Sequence, residues 1–452
     1  MKIWCKNPSE IWEVNTLKEL EPAVECDDHP IARYVFSAAD LEATFNFQPR
    51  VFPTNLKIKT GKKLEPITSV ELSYAKDVVV MGRNGLIKAV GDQAVAFLHP
   101  FYPTDKRIYD QADWNSAYVR GMRLQLSNLK PIGPGELSLL KPIAISRTIE
   151  TPVFLFGTAS DQTYSHYVWD ALPQLWYLQQ LRHLDIKILV DEKLDSYKKE
   201  FLLALGFDDH RILTRSLNEH ILCRKVYMGT RLSVNNRMVL PQGLELLTQL
   251  RLPKTEQSRR IFLDRDDDHK ATRQLLNEED LWAICKQFGF ERMTPGRMSL
   301  SEKQQAFSQA EIIVGQYGGG LQNHYLCHPQ TRLVILQSDL FQRNIFDYTS
   351  GMLQLPIISI FGRAFHSAAG STNNSNFMID EQMFKQVLTH MISSRHPLFL
   401  KLLSSNRSGF SHPEDLKIYR LQIRLLFNLL KNIFFRKIKR LRRTKNSLVA
   451  RL

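Results

Sequence analysis

The sequence predicts an α/β protein made of two Rossmann-like units facing a cleft, with a strand-rich N-terminal region and a basic helical C-terminal tail. Three observations carry that reading. Between Arg260 and Gln337 an apolar strand ends in Asp264-Arg265, a helix-like span follows, and the run Ala310-Glu311-Ile312-Ile313-Val314-Gly315 leads into Gly318-Gly319-Gly320. A second apolar strand, Leu333-Val334-Ile335-Leu336, closes the stretch, which gives the strand–turn–helix–strand grammar of a βαβ sheet. A similar alternation of strand and helix occupies residues 150–250, and the composition, 43% hydrophobic and 23% charged, is that of an ordinary globular chain.

The elements follow in order. Residues 1–145 read as strands and irregular chain, with a hairpin where Val78-Val79-Val80-Met81 meets Gly82-Arg83-Asn84-Gly85, and a strand at Ala94-Val95-Ala96-Phe97-Leu98. The first α/β unit covers 146–250. Val153-Phe154-Leu155-Phe156 is a strand, 161–182 a long helix, and Ile186-Lys187-Ile188-Leu189-Val190 a strand ending at Asp191. A helix over 194–205 stops at Gly206, a residue suited to the left-handed position after a helix, and another starts at Pro241. The second unit covers 251–365, and 366–452 holds a polar loop, helices and the tail. Two such units can each hold one substrate at the carboxyl ends of their strands, which suits an enzyme that joins two substrates.

With 452 residues the chain has room for two or three domains. Its formal charge of +14 is a property of one end, because 416–452 contains 12 Lys or Arg and no Asp or Glu, leaving 48 basic against 46 acidic residues elsewhere. Cys5, Cys26, Cys223, Cys285 and Cys327 show no zinc spacing and read as scattered free thiols of a reducing compartment. The N-terminus lacks an apolar signal segment and no window is apolar enough to span a bilayer, so the expected location is cytoplasmic.

Several residues offer chemistry. His166 and Asp170 are four apart and share a helix face, as a base and the group that orients it would, or as a polar first turn that caps and solvates. Arg265 follows a strand end, where a guanidinium suits a bidentate phosphate contact, and Arg273 adds a second cation; a surface salt bridge is the plainer use of both. Asn277 and Glu278 fit the start of the next helix. Asp266-Asp267-Asp268 reads as a solvated loop rather than a metal site, and no His/Cys cluster points to zinc, so no metal is assigned. Gly318-Gly319-Gly320 is neither a Walker loop nor GxGxxG, but at a strand-to-helix turn it allows backbone to approach a phosphate.

Taken together, these segments resemble glycosyltransferase family 61, of the bacterial capsular-polysaccharide type. The resemblance rests on His166-Tyr167-Val168-Trp169-Asp170-Ala171-Leu172-Pro173, Leu263-Asp264-Arg265, Arg273 through Asn277-Glu278, Gly289-Phe290, Leu300-Ser301 onward, and the 310–323 segment ending in Asn323. It covers about 150–340. Tyr317 stands where the family has His, Gly319 where it has Ala, and Lys303 where it has Gln. The resemblance implies a GT-B-like fold, an acceptor-side domain at 146–250 and a donor domain at 251–365. It also implies transfer of a sugar, with inversion, from a nucleotide-sugar donor (UDP-linked is the expectation) to a hydroxyl of a growing surface glycan, with no cofactor and no essential divalent metal. Asp170 is then the expected base, with His166 as the competing choice. Arg265, Arg273, Asn277, Glu278, Tyr317, Gly318, Gly319, Gly320 and Asn323 are the expected donor and phosphate contacts. A non-catalytic relative that binds a nucleotide sugar or glycan and scaffolds a membrane-associated assembly is the alternative.

The tail interleaves basic and large apolar residues over 416–445, the pattern of an interfacial helix on an anionic membrane. A helix packed on the body with a solvated basic end gives the same pattern, whereas a nucleic-acid arm would carry fewer large apolar residues. A peripheral position on the inner face of the membrane, beside a lipid-linked glycan acceptor and without nucleic acid, is the expectation.

Overall fold

The computed structural model describes residues 142–393 except 158–162, 192–193, 217, 235–237, 256–257, 266–272, 341–344 and 366–374. Before these it describes 2–5, 12–14, 17–19, 21, 31–36, 70–81, 85–90, 93–98, 129–133 and 136–139. The acidic triplet at 266–268, the polar loop at 366–374 and the basic tail at 416–445 lie outside the described residues.

The fold is mixed α/β, with two large sheets. The first draws on β1 (Lys2–Cys5), β2 (Trp12–Val14), β3 (Ile31–Val35), β4 (Glu71–Met81), β5 (Gly85–Val90), β6 (Gln93–Leu98), β7 (Leu129–Gly133), β8 (Glu136–Leu139) and β9 (Arg147–Ile149). It continues through β10 (Val153–Leu155), β11 (Lys187–Asp191), β12 (Ile212–Arg215) and β13 (His220–Gly229). The main path runs β12-β11-β10-β13-β4-β5-β6-β1-β8-β7. Strands β10 to β13 are parallel where they pair with β10 or β11, the arrangement left by helical crossovers. Strand β4 pairs antiparallel with β13 from His220↔Met81 to Gly229↔Leu72, so the N-terminal strands and the 146–250 unit share one sheet. The hairpin expected at Asn84-Gly85 is present as β4 against β5, with Met81 opposite Gly85, although its loop 82–84 is outside the described residues.

A small ribbon, β14 (Ser233–Val234) against β15 (Met238–Val239), separates the two sheets in sequence. The second sheet holds β16 (Arg259–Leu263), β17 (Glu291–Met293), β18 (Ala310–Gln316), β19 (Arg332–Ser338), β20 (Ile357–Phe365) and β21 (Asn376–Met378), in the order β17-β16-β18-β19-β20-β21. All but β21 are parallel. Such strands are covered on both faces and therefore read as continuous apolar runs; Ile312, Ile313 and Val314 of β18 are all fully buried. Counted along the chain, the order is 2-1-3-4-5. The direction of winding reverses between β16 and β18, and a crevice opens outside the carboxyl ends of strands at such a switch point.

Two helical expectations are corrected. The single long helix expected over 161–182 is broken: one α-turn at Tyr164–His166, a π-helical turn at Tyr167–Ala171, a 3-10 turn at Leu172–Leu175 and an α-helix at Trp176–Gln180. Pro173 is the reason, since it has no N–H to donate and its ring crowds the carbonyl four residues back. The N–H of Leu172 therefore bonds the Tyr167 carbonyl, one residue wider than an α-turn. The helix expected after Gly320 is a six-residue 3-10 helix, Leu321–Leu326. The helix at Ser196–Ala204 ends as read, with Gly206 at φ +84°.

Candidate functional site

The π-helical turn carries the first group of residues. It swings Asp170 inward, where its carboxylate is fully buried, while the His166 side chain remains about one-third exposed. His166 Nδ1 lies 2.5 Å from Asp170 Oδ2, and Ser233 Oγ donates to Asp170 Oδ1. Burial pushes the Asp170 carboxyl up, but the His166 hydrogen bond, the charge of Arg231 and the Ser233 hydroxyl outweigh it and hold it below the usual carboxylate range. An ionised Asp170 bonded to Nδ1 fixes the imidazole so that Nε2 is the nitrogen able to take a proton. The four-residue spacing of the pair was legible in the sequence. The contributions of Ser233 and Arg231, more than 60 residues away, carried no local signal.

A second group gathers at the switch point. Asp264 and Arg265 leave the end of β16, Gln316 ends β18, and Glu278 opens the Glu278–Gln287 helix. Gln316 Nε2 donates to Glu278 Oε1 at 2.9 Å, bridging the helix start to the end of β18. Burial and the nearby Asp264 carboxylate push Glu278 up to about 7. Asp264 has an ion pair to Arg292, whose Nε sits 3.1 Å from Asp264 Oδ2 while its other nitrogens hold Glu279. Burial and the Asp264 charge thus favour the protonated form of Glu278. Arg265 donates to the Arg273 carbonyl at 3.1 Å, and Arg273 is held at φ +57°, a left-handed conformation costly for a residue with a side chain. Burial and the charge of Arg273 both work against the Arg265 cation, partly offset by Glu278.

The glycine turn lies beside this group. A Cβ on Gly319 would meet nothing within 4 Å, one on Gly318 only the Gln316 carbonyl at 3.9 Å, and none of the three glycines has positive φ. A Cβ on Gly320 would touch Pro295 at 3.4 Å, but at Gly318 and Gly319 neither packing nor backbone conformation asks for glycine, so this part of the turn leaves room for something outside the fold to approach. Behind it, Tyr317 is buried edge-on against Phe346 at 5.2 Å. The short helix that follows, six residues of 3-10 geometry, is too brief to supply a substantial dipole.

The two groups are joined. Tyr164 donates to Asn323 Oδ1, and Asn323 Nδ2 donates to the Gly320 carbonyl at 2.9 Å. Trp169 Nε1 donates to the Gln322 carbonyl at 3.0 Å, and its ring stacks on His324 at 4.9 Å. His324 is fully buried between the Leu321 carbonyl and Thr349, and burial drives its pKa down to about 3. Lys303, 5% exposed, places its ammonium 4.9 Å above the Tyr164 ring. The 164–180 helical run thus packs directly on the glycine turn and the chain after it.

Not every expected contact faces this site. Asn277 occupies the position before its helix but does not cap it; Nδ2 donates to the Ile379 carbonyl at 2.8 Å and Oδ1 accepts from the Ile379 N–H. Asn323 is 1% exposed with its amide engaged as above. Gln316, Ser233 and Tyr164 join the site without having been given a role from the sequence, and Asp264, read there only as part of the Leu263-Asp264-Arg265 strand end, joins it too. Among the described residues no three His, Cys, Asp or Glu side chains are grouped to hold a metal ion, and no helix is long and apolar enough to cross a membrane.

Residues 164–334, which span both groups, match the Glycosyltransferase 61 family model. No curated protein matches the chain. Chains of solved structures do match; one is the dodecameric iron-containing heptosyltransferase TibC in complex with ADP-D-β-D-heptose. It is 11% identical, with 58% of this chain and 82% of that chain covered and a TM-score of 0.30, so the likeness is loose.

Proposed function

We propose that this chain is an inverting glycosyltransferase that moves a sugar from a nucleotide-sugar donor to a hydroxyl of a growing surface glycan. The match of residues 164–334 to Glycosyltransferase 61 supports the reaction class. The observation that carries the donor assignment is the pairing of Arg265 and Arg273, two cations brought together at partial burial where the winding of the second sheet reverses. Two like charges disfavour each other, and a diphosphate removes that cost while accepting hydrogen bonds from both. The bare Gly318-Gly319-Gly320 turn gives the donor its approach. The GT-B-like arrangement, with acceptor and donor on opposite units of a cleft, belongs to the same proposal.

In the proposed reaction His166 Nε2 takes the proton of the acceptor hydroxyl. The acceptor oxygen bonds to the anomeric carbon as the bond from that carbon to the diphosphate oxygen breaks, and the electron pair leaves with the nucleoside diphosphate. Arg265 and Arg273 stabilise the charge that develops there. Asp170 was the first choice of base from the sequence, but its carboxylate is fully buried with both oxygens engaged. A carboxylate so placed orients His166 and stabilises the imidazolium that forms. The interleaved basic and apolar stretch at 416–445 would hold the enzyme on an anionic membrane near a lipid-linked acceptor.

The test is donor turnover by the full-length chain against a panel of nucleotide sugars, read as released nucleoside diphosphate. Turnover of one donor that disappears in His166→Gln supports the reading. Selective binding with no turnover under any acceptor condition would favour a non-catalytic scaffold, and an absence of binding would remove the donor site.

A further inference from the structure

Glu278 has an unusual set of neighbours for a carboxyl group beside a phosphate site. Just past the end of β16 it meets Asp264 and Arg265; from β17, Arg292; from β18, the neutral Gln316. On its own helix Glu279 is occupied by Arg292 through two bonds of 2.9 and 2.6 Å, and Asp280 is exposed. Arg292 therefore serves Asp264 and Glu279, and Glu278 bonds the Gln316 amide and the Asp264 carboxyl. Glu278 is 9% exposed, so water does little for it. An ionised carboxylate in that position would lie beside Asp264 and would offer Arg265 an anion that competes with any ligand phosphate. A neutral carboxylic acid avoids both penalties: it donates to Asp264 and still accepts from Gln316, so β16, β18 and the helix start are held in one hydrogen-bonded unit.

We propose that Glu278 is a positioning residue acting as a neutral carboxylic acid, bridging Asp264 to Gln316 across the switch point, and that the donor diphosphate is captured only with that proton in place. The inference rests on the donor reading given above and adds a proton to it. Capture of the anion by Arg265 and Arg273 and protonation of Glu278 are then linked, each favouring the other. With Glu278 raised to about 7, the protonated form dominates below neutrality and is depleted above it. Donor affinity falls as pH rises through about 7, approaching a tenfold loss per pH unit when the proton is obligatory. The turnover step itself, once donor is bound, does not require Glu278 to change state, so the effect falls on KM for the donor rather than on kcat.

The test uses UDP-glucose, UDP-N-acetylglucosamine and GDP-mannose, whose diphosphates are diesters of constant charge across about pH 5.5 to 8.5. Binding to the full-length chain is measured by calorimetry in two buffers of different ionisation heat, which counts protons taken up, together with KM and kcat for whichever probe turns over. The expected result is proton uptake on binding near pH 7.5, rising KM above pH 7, and loss of both effects in Glu278→Gln, which mimics the neutral acid. Asp264→Asn removes the charge that holds the proton on Glu278 and moves the midpoint to lower pH, which keeps the test available if Glu278→Gln does not fold. Binding with no proton uptake, or the same pH dependence in Glu278→Gln as in the unsubstituted chain, overturns the proposal while leaving the donor site intact. No binding of any probe at any pH overturns the proposal together with the donor reading.

Discussion

Tyr164 donates its phenolic hydrogen to Asn323 Oδ1, and with the Trp169–Gln322 bond it ties the helical turn that carries His166 to the turn that carries the glycines. Tyr164 and Asn323 are 159 positions apart, and Asn323 is 1% exposed. Removing the hydroxyl in Tyr164→Phe leaves a buried amide oxygen without its donor, at a cost of roughly 1–3 kcal/mol. Urea unfolding should report that loss. Under the proposed mechanism this bond helps hold His166 near the donor, so kcat should fall more than donor KM changes; an unchanged kcat would separate the bond from catalysis.

Asp170→Asn and His166→Gln should each lower turnover by roughly 10²–10⁴-fold, the range for loss of a positioned base. They should differ in stability. Asp170→Asn removes a buried charge held by His166, Arg231 and Ser233, so its thermal midpoint should drop more than that of His166→Gln, whose side chain is partly exposed. Equal midpoints would mean that the Asp170 network contributes little to the fold.

Arg265→Ala should abolish donor-induced stabilisation. A nucleotide sugar at about a hundred times its dissociation constant adds about 2.7 kcal/mol to the unsubstituted chain. A variant that keeps that shift in thermal denaturation would move the phosphate contacts away from the switch point.

Stability should depend on pH through two opposed groups. His324 is pushed from 6.5 down to about 3, so the unfolded chain takes up a proton that the folded chain refuses, and stability falls as pH drops below 6.5. Glu278 is raised from 4.5 to about 7, so its contribution is lost as pH rises from 4.5 to 7. The two slopes oppose each other between 4.5 and 6.5, which predicts a shallow plateau there. Below it the limb steepens, because Asp170, held below its ordinary 3.8, adds its own loss to that of His324. His324→Gln should flatten that acid limb in urea titrations; an unchanged limb would show that His324 opens to solvent before the chain unfolds.

The 416–445 stretch should carry the full-length chain onto vesicles containing anionic phospholipid and leave it in solution with neutral vesicles, with binding reduced at high salt. Equal sedimentation with both vesicle types would point to the tail packing on protein instead.

How far the sequence reached is clearest at particular residues. Apolar runs bounded by glycine and charged residues located β10, β11, β16, β18 and β19, and Gly206 marked a helix end, because strand and helix periods and left-handed caps are local properties. The same local logic overshot at 161–182, where Pro173 stood in view but its effect, a π-turn that turns Asp170 inward, depended on the core that Trp169 and Trp176 fill. It also placed Asn277 as a cap, whereas the side chain bonds Ile379, 102 residues away.

The sequence by itself determined the alternation of strands and helices, the strand end at Asp264-Arg265, and the shared face of His166 and Asp170, since each follows from spacing along a few turns of chain. Only the tertiary structure decided that Asp170 is sealed from solvent while His166 is not, that Glu278 sits between Asp264 and Gln316, and that Asn323 belongs to Tyr164. The physical reason is that burial and charge are set by neighbours brought from distant segments, and the protonation and exposure of a side chain are properties of that surrounding rather than of its place in the chain.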